Sequence, residues 1–508
     1  MAGILSGGFV QGNPIFDNQR QNYIGLYVQH SWKLNRRLML NSGVRWEPYL
    51  PMQHPFGWVS HFDQAAFVAG IKSAVYKNAP AGLTFPSDAG YPGKSTTFSH
   101  KAQFAPRLGL VFDPNGDGKM TMRASYGIFY DAPHLFFNTR FANNPPWGAQ
   151  ITLSNPAGGF ANPYQTYAGG NPFPGLAKIS ADSFFPLAGV YVNAPLEIKP
   201  TYLQQWNLSV QRQIGEWLFA ASYLGNKSTH LWTGREVNPA LYSAAATLSN
   251  TNQRRVLYML NPTEGQYYGT IGQIDDGGTS SYNGMLLSAQ RRLANNFSVL
   301  ANYTLSHCIS DPATTEITGP TYVNPNNRRV DRANCDSDRR HVVNVSFVAS
   351  TPKFANGTLR LIASGWQLSG IVRRQSGNYS TVTTGADNAL TGIGNQRAVQ
   401  LLADPYDPNP TVDHYLNRAA FGSPATGTYS LLRPFTMLNP SSMQIDTGLS
   451  RTFHVLEGQN IQIRWEVFNV PNRLNANAPV TALNNANFGK ILSAQDPRIM
   501  QFALKYVF

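Results

Sequence analysis

Charged side chains are scarce in this sequence of 508 residues: Asp, Glu, Lys and Arg together make up 13%, against about 25% in an average soluble domain. No stretch of about 20 residues is apolar throughout, which excludes a helical membrane protein. The Ala, Glu, Lys and Leu bias of long helices is also missing. Aromatic residues, in contrast, reach 12%, beside 44 Gly and 34 Pro. Few charges with many aromatic residues and turn formers indicate an all-β protein with an apolar exterior.

Motifs of catalysis and nucleotide binding are missing as well. We find no nucleophile elbow, zinc-protease motif, phosphate-binding loop or dinucleotide fingerprint, so we expect no enzyme, catalytic residue, cofactor or metal. The net charge of +13 is scattered along the chain, which does not favour nucleic-acid binding. Asp113–Gly118 begins like a calcium loop, but Ala124 stands where that loop needs Glu. We expect turns there and around Asp275 and Asp276.

Alternation of apolar and polar residues is the strongest positive signal, because a period of two places successive side chains on opposite faces of a strand. Ile461 and Ile463, for example, alternate with Gln462 and Arg464. The pattern predicts about thirteen strands, at 22–32, 36–49, 103–113, 119–130, 201–213, 216–226, 282–292, 296–308, 340–350, 361–374, 442–454, 460–470 and 498–508. Strands of about 9–11 residues cross a membrane at a tilt.

The predicted connections alternate between short and long. The long ones are 50–102, 131–200, 227–281, 309–339, 375–441 and 471–497. Outer-membrane barrels have short periplasmic turns and long extracellular loops, and they close because lipid offers no hydrogen-bond partner to a strand edge. We therefore predict an antiparallel transmembrane outer-membrane β-barrel. An odd number of strands implies a partial barrel, with residues 1–21 as a remnant of an extracellular loop and residues 22–508 as the C-terminal part.

Candidate functional residues are expected in two places of a barrel, its lumen and its long loops. The polar strand faces are predicted to line the lumen, with Gln205, Asn207, Gln444, Asp446, Arg464 and Glu466 as candidates. Loop 131–200 is rich in aromatic residues that suit contact with a ligand, namely Phe136, Phe137, Trp147, Tyr164 and Tyr167. Packing within the loop is the alternative for these side chains.

Cys308 and Cys335, the two cysteines of the sequence, lie just before loop 309–339 and near its end. We predict a disulfide between them, with two free thiols as the alternative. The loop and its end also hold four further titratable residues among several arginines: Asp331, Asp336, Asp338 and His341. We expect ion pairs there rather than a metal site.

Short stretches, in order along nearly the whole chain, resemble the barrel of Oar-like TonB-dependent transporters. They are Asn22–Gln29, Phe104–Gly109, Tyr126–Asp131, Gln204–Val210, Ser281–Gly284, Asp338–His341, Gly365–Gly370, Phe488–Ile491 and Asp496–Arg498. The last residues, Gln501–Phe508, resemble the C-terminal signal that the barrel assembly machinery recognises.

This resemblance implies a barrel of 22 strands with a plug domain and contact to the TonB complex. The chain would supply about 13 of those strands, and no plug domain or signal peptide is recognised in it, so we expect a fragment.

The expected function is uptake or export of a large ligand, such as an oligosaccharide or a peptide, across the outer membrane of a Gram-negative, acidobacterial cell. A passive porin or adhesin barrel and a soluble all-β carbohydrate-binding protein are the alternatives. The expected partners are outer-membrane lipid and lipopolysaccharide, the barrel assembly machinery through Phe508, and the TonB complex through a region N-terminal to this chain.

Overall fold

The computed structural model describes residues 9–12, 18–133, 135–148, 150–153, 156–167, 170–173, 179–312, 322–394, 396–456 and 458–508, and leaves out the side chains of 135–137, 150 and 152. Thirteen strands follow one another through one large sheet, each antiparallel to the next. They are β1 Leu26–Lys33, β2 Leu38–Trp46, β3 Phe104–Phe112, β4 Met120–Tyr130, β5 Tyr202–Ile214, β6 Trp217–Glu236, β7 Tyr268–Ala294, β8 Phe297–Ser310, β9 His341–Ser350, β10 Trp366–Gln375, β11 Ser442–Leu456, β12 Gln459–Phe468 and β13 Ile499–Val507. The predicted number and order of strands are confirmed.

Smaller elements lie between these strands. Gly189–Asn193 pairs with β7 in parallel, and Ala333–Asn334 pairs with β8. The short helices are Gln64–Val68, Val256–Leu260, Pro262–Gly265 and Gly357–Ala363, and the 3₁₀ helices are Leu135–Asn143, Asn252–Arg254, Arg328–Val330 and Arg418–Ala420. Four two-stranded ladders join Phe9–Gly12 to Gln150–Leu153, His61–Phe62 to Leu83–Thr84, Tyr379–Ser380 to Met437–Leu438, and Val399–Gln400 to Phe421–Gly422. No helix in the described ranges is long and apolar enough to cross a membrane.

The register of the sheet separates side chains into two faces. Asn207 lies opposite Ser125 and Leu224, whereas Leu208 lies opposite Ala124 and Tyr223. Followed from strand to strand, this register gives one polar face, which carries Asn207 and Arg464, and one apolar face, which carries Leu208 and Trp465. Apolar side chains point away from the polar face and are exposed, as a lipid-facing surface requires.

Two strands are much longer than predicted. β6 continues ten residues beyond 226, and β7 begins fourteen residues before 282. The turn expected around Asp275 and Asp276 is therefore wrong, because both residues lie within β7 and Asp275 pairs with Thr233. Register shifts between Thr229 and Leu231, and between Leu231 and Thr233, interrupt the ladder there. Such irregularities break the period of two that sequence patterns depend on.

A second boundary differs near 361–374, where one strand was predicted. The helix Gly357–Ala363 occupies the beginning of this range, and β10 starts only at Trp366. Asn356 caps the helix, since its side-chain oxygen accepts hydrogen bonds from Thr358 N and Leu359 N at 3.0 and 3.2 Å. The turn at Asp113, in contrast, is present as expected, with its carboxylate accepting from Gly116 N at 2.8 Å and from Gly118 N at 2.7 Å.

The two ends of the sheet are β1 and β13, and each pairs with one neighbour among the described residues. Every residue of both strands is exposed. All six long connections leave the opposite ends of the strands from the short turns, because the strands alternate in direction. We call these connections, together with the adjoining ends of β6 and β7, the long-loop end, and we call the rest of β1–β13 the wall.

The buried core lies in the long-loop end. Its largest cluster includes Phe67, Phe85, Trp147, Tyr268 and Ile271. A second cluster brings together residues from two connections and from the ends of β6 and β7, among them Tyr49, Phe141, Trp232 and Ile274. A third cluster forms within the connections from β10 to β11 and from β12 to β13, around Val382, Phe421 and Phe488.

Candidate functional site

The six residues predicted to line the lumen all lie on the polar face of the wall. Gln444 and Asp446 belong to β11, and Gln444 Nε2 donates to the Asp446 carboxylate at 3.0 and 3.1 Å. Asp446 Oδ1 also accepts from Asn469 N at 2.9 Å. Gln205 and Asn207 lie on β5, six strands away along the sheet. The sheet therefore groups these residues by face, and it brings together only those of β11 and β12.

Arg464 and Glu466 form a polar row on β12. Arg464 Nη1 lies 3.4 Å from Glu466 Oε1, and its Nη2 donates to Gln462 Oε1 at 3.0 Å. Gln501 of β13 donates to the other carboxylate oxygen of Glu466. Both charges remain partly accessible, so the ion pair is an exposed one with a small contribution to stability. These side chains present charge and hydrogen-bonding groups on the polar face.

A cavity of about 670 Å³ lies along this same face, between β7 and β12. Its polar lining includes Gln290, Arg292, Ser369, Asp446 and Glu466. A volume of this size falls in the range of small-molecule sites, about 300–1,000 Å³. The polar face therefore offers room for a small molecule among side chains of both charges.

The aromatic residues of loop 131–200 are mostly packed inside the long-loop end. Trp147 is 2% exposed, and its Nε1 donates to Phe141 O at 3.2 Å. Tyr164 is 5% exposed, and its hydroxyl donates to Gln11 Oε1 at 3.0 Å. Tyr167 is half-buried and donates to Leu187 O at 3.2 Å. Packing accounts for these three rings in this conformation, and ligand contact by them stays a prediction.

The remaining two members of that set, Phe136 and Phe137, have side chains outside the described part of the chain. Their backbone belongs to the 3₁₀ helix Leu135–Asn143.

A disulfide joins Cys308, near the end of β8, to Cys335, with 5.4 Å between the Cα atoms. The connection is reinforced by hydrogen bonds, since Cys335 N donates to Cys308 O at 3.1 Å and Cys308 N donates to Asp338 Oδ1 at 2.8 Å. The second carboxylate oxygen of Asp338 lies 3.1 Å from His307 Nδ1. The returning end of this connection is thus fixed against β8.

The ion pairs of this region connect residues far apart in the sequence. Asp331 contacts Arg397, and the two residues are 1% and 4% exposed. Burial raises the pKa of Asp331, although the guanidinium of Arg397 favours the ionised carboxylate. Asp311 and Arg332 form a second pair, with 3.3 Å between Oδ2 and Nη1. Sequence proximity indicated the nearby arginines as partners, and nothing in the sequence pointed to Arg397.

His341, at the start of β9, takes no part in these pairs, and its Nδ1 lies 2.8 Å from Tyr303 Oη. Asp336 is exposed at the surface of the same connection. Among the residues that the structure describes, no three His, Cys, Asp or Glu side chains come together as metal ligands.

A wall of consecutive antiparallel strands with one polar and one apolar face, joined by alternating short and long connections, defines an outer-membrane β-barrel protein. The sequence model described as "Outer membrane beta barrel domain" matches residues 1–501. The chain belongs to this family, and it is an outer-membrane protein.

Three solved structures illustrate what this chain is similar to. The outer membrane transporter YddB from Escherichia coli is 12% identical, with 95% of this chain and 45% of that chain covered and a TM-score of 0.48. The ferripyoverdine receptor of the outer membrane of Pseudomonas aeruginosa is 13% identical, with 97% and 39% covered and a TM-score of 0.43. The ferric-catecholate import receptor Fiu from E. coli K12 is 10% identical, with 95% and 44% covered and a TM-score of 0.40. The chain spans less than half the length of each. No protein of curated function matches the sequence.

Proposed function

We propose that this chain is the wall and long-loop end of an Oar-like TonB-dependent transporter that moves a large ligand, such as an oligosaccharide or a peptide, across the outer membrane. The observation that carries this proposal is the polar face of the wall, where a cavity of about 670 Å³ is lined by charged and hydrogen-bonding side chains. Family membership and the ordered stretches that resemble Oar-like transporters support it.

The proposed mechanism makes and breaks no covalent bond. The long-loop end captures the ligand from outside, and the polar face offers exchangeable hydrogen bonds along the passage, for example from Gln205, Asn207 and Gln444. Energy enters through the TonB complex, which contacts a region outside this chain. An acidobacterial source is part of the same proposal.

Assembly and the membrane supply the other proposed partners. Phe508 is 92% exposed and follows β13, whose apolar face carries Phe502 and Leu504. We propose that this segment is recognised by the barrel assembly machinery and that the apolar face then contacts lipid and lipopolysaccharide.

Energy dependence separates this proposal from a passive barrel. The full-length protein is expressed in the outer membrane of a Gram-negative host, and accumulation of labelled oligosaccharides and labelled peptides is measured with and without a protonophore. We expect accumulation that disappears with the protonophore and in a host that lacks TonB. Accumulation that persists in both conditions would establish a passive porin instead. A folded protein that accumulates neither class of probe would overturn the proposed ligands.

A further inference from the structure

A second cavity, of about 300 Å³, lies in the long-loop end beside the extended parts of β6 and β7. Three arginines line it: Arg235 from β6, and Arg328 and Arg329 from the 3₁₀ helix of the disulfide-closed connection. One carboxylate, Asp275 of β7, lies among them, together with Tyr322 and Asn326. None of these residues belongs to the polar face of the wall.

The carboxylate balances one of the three positive charges. Arg328 Nη2 lies 3.1 Å from Asp275 Oδ2 and 3.2 Å from Oδ1. Arg235 Nε is buried and has no hydrogen-bond partner among the described residues. Arg329 is exposed, and no ion pair of the described residues includes it. A buried donor without a partner is costly, so a cavity with this excess of positive charge is suited to an anion.

The backbone beside the cavity leaves room for one of these guanidinium groups, that of Arg328. At Gly277, two residues after Asp275, an added Cβ would occupy the position of Arg328 Nη1. The glycine therefore leaves the space in which this guanidinium lies. Thr233 Oγ1 lies 2.7 Å from the Tyr322 hydroxyl and 3.2 Å from Asp275 O, which fixes the extended strands beside the cavity.

We propose that this cavity binds a compact anionic group of the phosphate type. Guanidinium groups present a planar fork of N–H donors that matches phosphate oxygens, and such charge-assisted hydrogen bonds are the strong ones. The anion is either the phosphate of a solute captured by the long-loop end or a phosphate of lipopolysaccharide. In the first case the inference rests on the proposed function, because it assigns the ligand of the transporter a negative charge.

The test measures binding rather than transport. The full-length protein is purified in detergent and titrated with inorganic pyrophosphate, and binding is followed by calorimetry and by ³¹P line broadening. Arg235→Gln and Arg329→Gln each remove one charge, and Gly277→Ala displaces Arg328 without changing any charge. We expect each variant to weaken binding about tenfold or more, the effect of losing one charge-assisted hydrogen bond. Arg360→Gln, on the helix Gly357–Ala363, is the matched control and should bind like the parent protein.

The two sources of the anion are distinguished by two further measurements. Lipid A that co-purifies with the parent protein and is lost from Arg235→Gln supports lipopolysaccharide. A parent protein that carries no lipid A, and whose bound pyrophosphate is displaced by glucose 6-phosphate, supports a captured solute. No saturable pyrophosphate binding to the parent protein, or equal binding to parent and variants, would overturn the site. Binding that is intact in a protein without energy-dependent uptake would leave the site standing and remove the proposed transport function.

Discussion

The wall and the long-loop end use apolar side chains in opposite ways. In the wall, large apolar side chains such as Leu208, Phe502 and Leu504 are 54–77% exposed. In the long-loop end, Phe85 and Tyr268 are 0% and 1% exposed. Among the described residues, no cluster of buried apolar side chains lies in the wall. Its strands are held by their hydrogen-bond ladders and by the membrane that covers the apolar face. The long-loop end excludes water from a packed interior in the manner of a soluble domain.

The largest expected effect comes from comparing a buried phenylalanine of the long-loop end with an exposed phenylalanine of the wall. Phe85→Ala opens a cavity in the long-loop end, where the ring contacts those of Trp147 and Phe185, and should lower its free energy of unfolding by about 3–5 kcal/mol. Phe104→Ala removes a ring that is 55% exposed on the apolar face, where detergent or lipid fills the space, and should cost much less.

Urea titration followed by tryptophan fluorescence, for the full-length protein in detergent, measures both changes. Trp147 lies next to Phe85 with 5.7 Å between ring centroids, and Trp46 lies opposite Phe104 in the ladder of β2 with β3. Equal destabilisation by the two substitutions would show that the core of the long-loop end is not the separate, water-excluding unit described above.

The same contrast explains what could be predicted from the sequence. Wall strands were predictable because each face has one environment, so that Leu208 and Asn207 differ in polarity as the period of two requires. In the extended ends of β6 and β7, both faces of the strands meet other connections. The alternation of apolar and polar residues therefore ends there, although the hydrogen-bond ladder continues to Glu236.

The contacts of the long-loop end were not predictable for a different reason. The ion pair of Asp331 with Arg397 joins residues 66 positions apart, and the cavity at Arg235 depends on a connection that begins more than seventy residues later. The aromatic composition of loop 131–200 indicated a special role, but composition does not tell a buried ring from an exposed one. Of the residues that line the second cavity, only Asp275 is named from the sequence, and there it indicates a turn rather than a binding site.

A somewhat smaller effect should separate the two faces of a single strand. Leu208→Arg places a charge on the apolar face in the middle of β5, where an arginine near the bilayer centre costs about 2–4 kcal/mol. Asn207→Arg places the same charge one residue away on the polar face and should change stability little. Unfolding in lipid vesicles, followed by the heat-dependent shift in gel mobility, compares the two variants. A larger loss for Asn207→Arg would reverse the assignment of the faces.

The smallest expected effect is a pH dependence confined to the long-loop end. His61 joins two long connections, with its Nδ1 2.9 Å from Ala194 O, and burial lowers its pKa below the usual value. The folded state therefore holds the imidazole neutral, and its stabilising contribution is present above the unfolded pKa of about 6.5. It is lost as the pH falls toward the lower folded pKa, because the unfolded state then binds more protons.

Between pH 8 and pH 5 the fluorescence melting temperature of the long-loop end should fall, with His61 contributing on the order of 1–2 °C. His61→Gln should flatten that part of the profile, while the heat-dependent gel shift that reports on the wall keeps the same pH profile in both proteins. An unchanged profile in the variant would mean that the contact of His61 with Ala194 does not couple protonation to the packing of these connections.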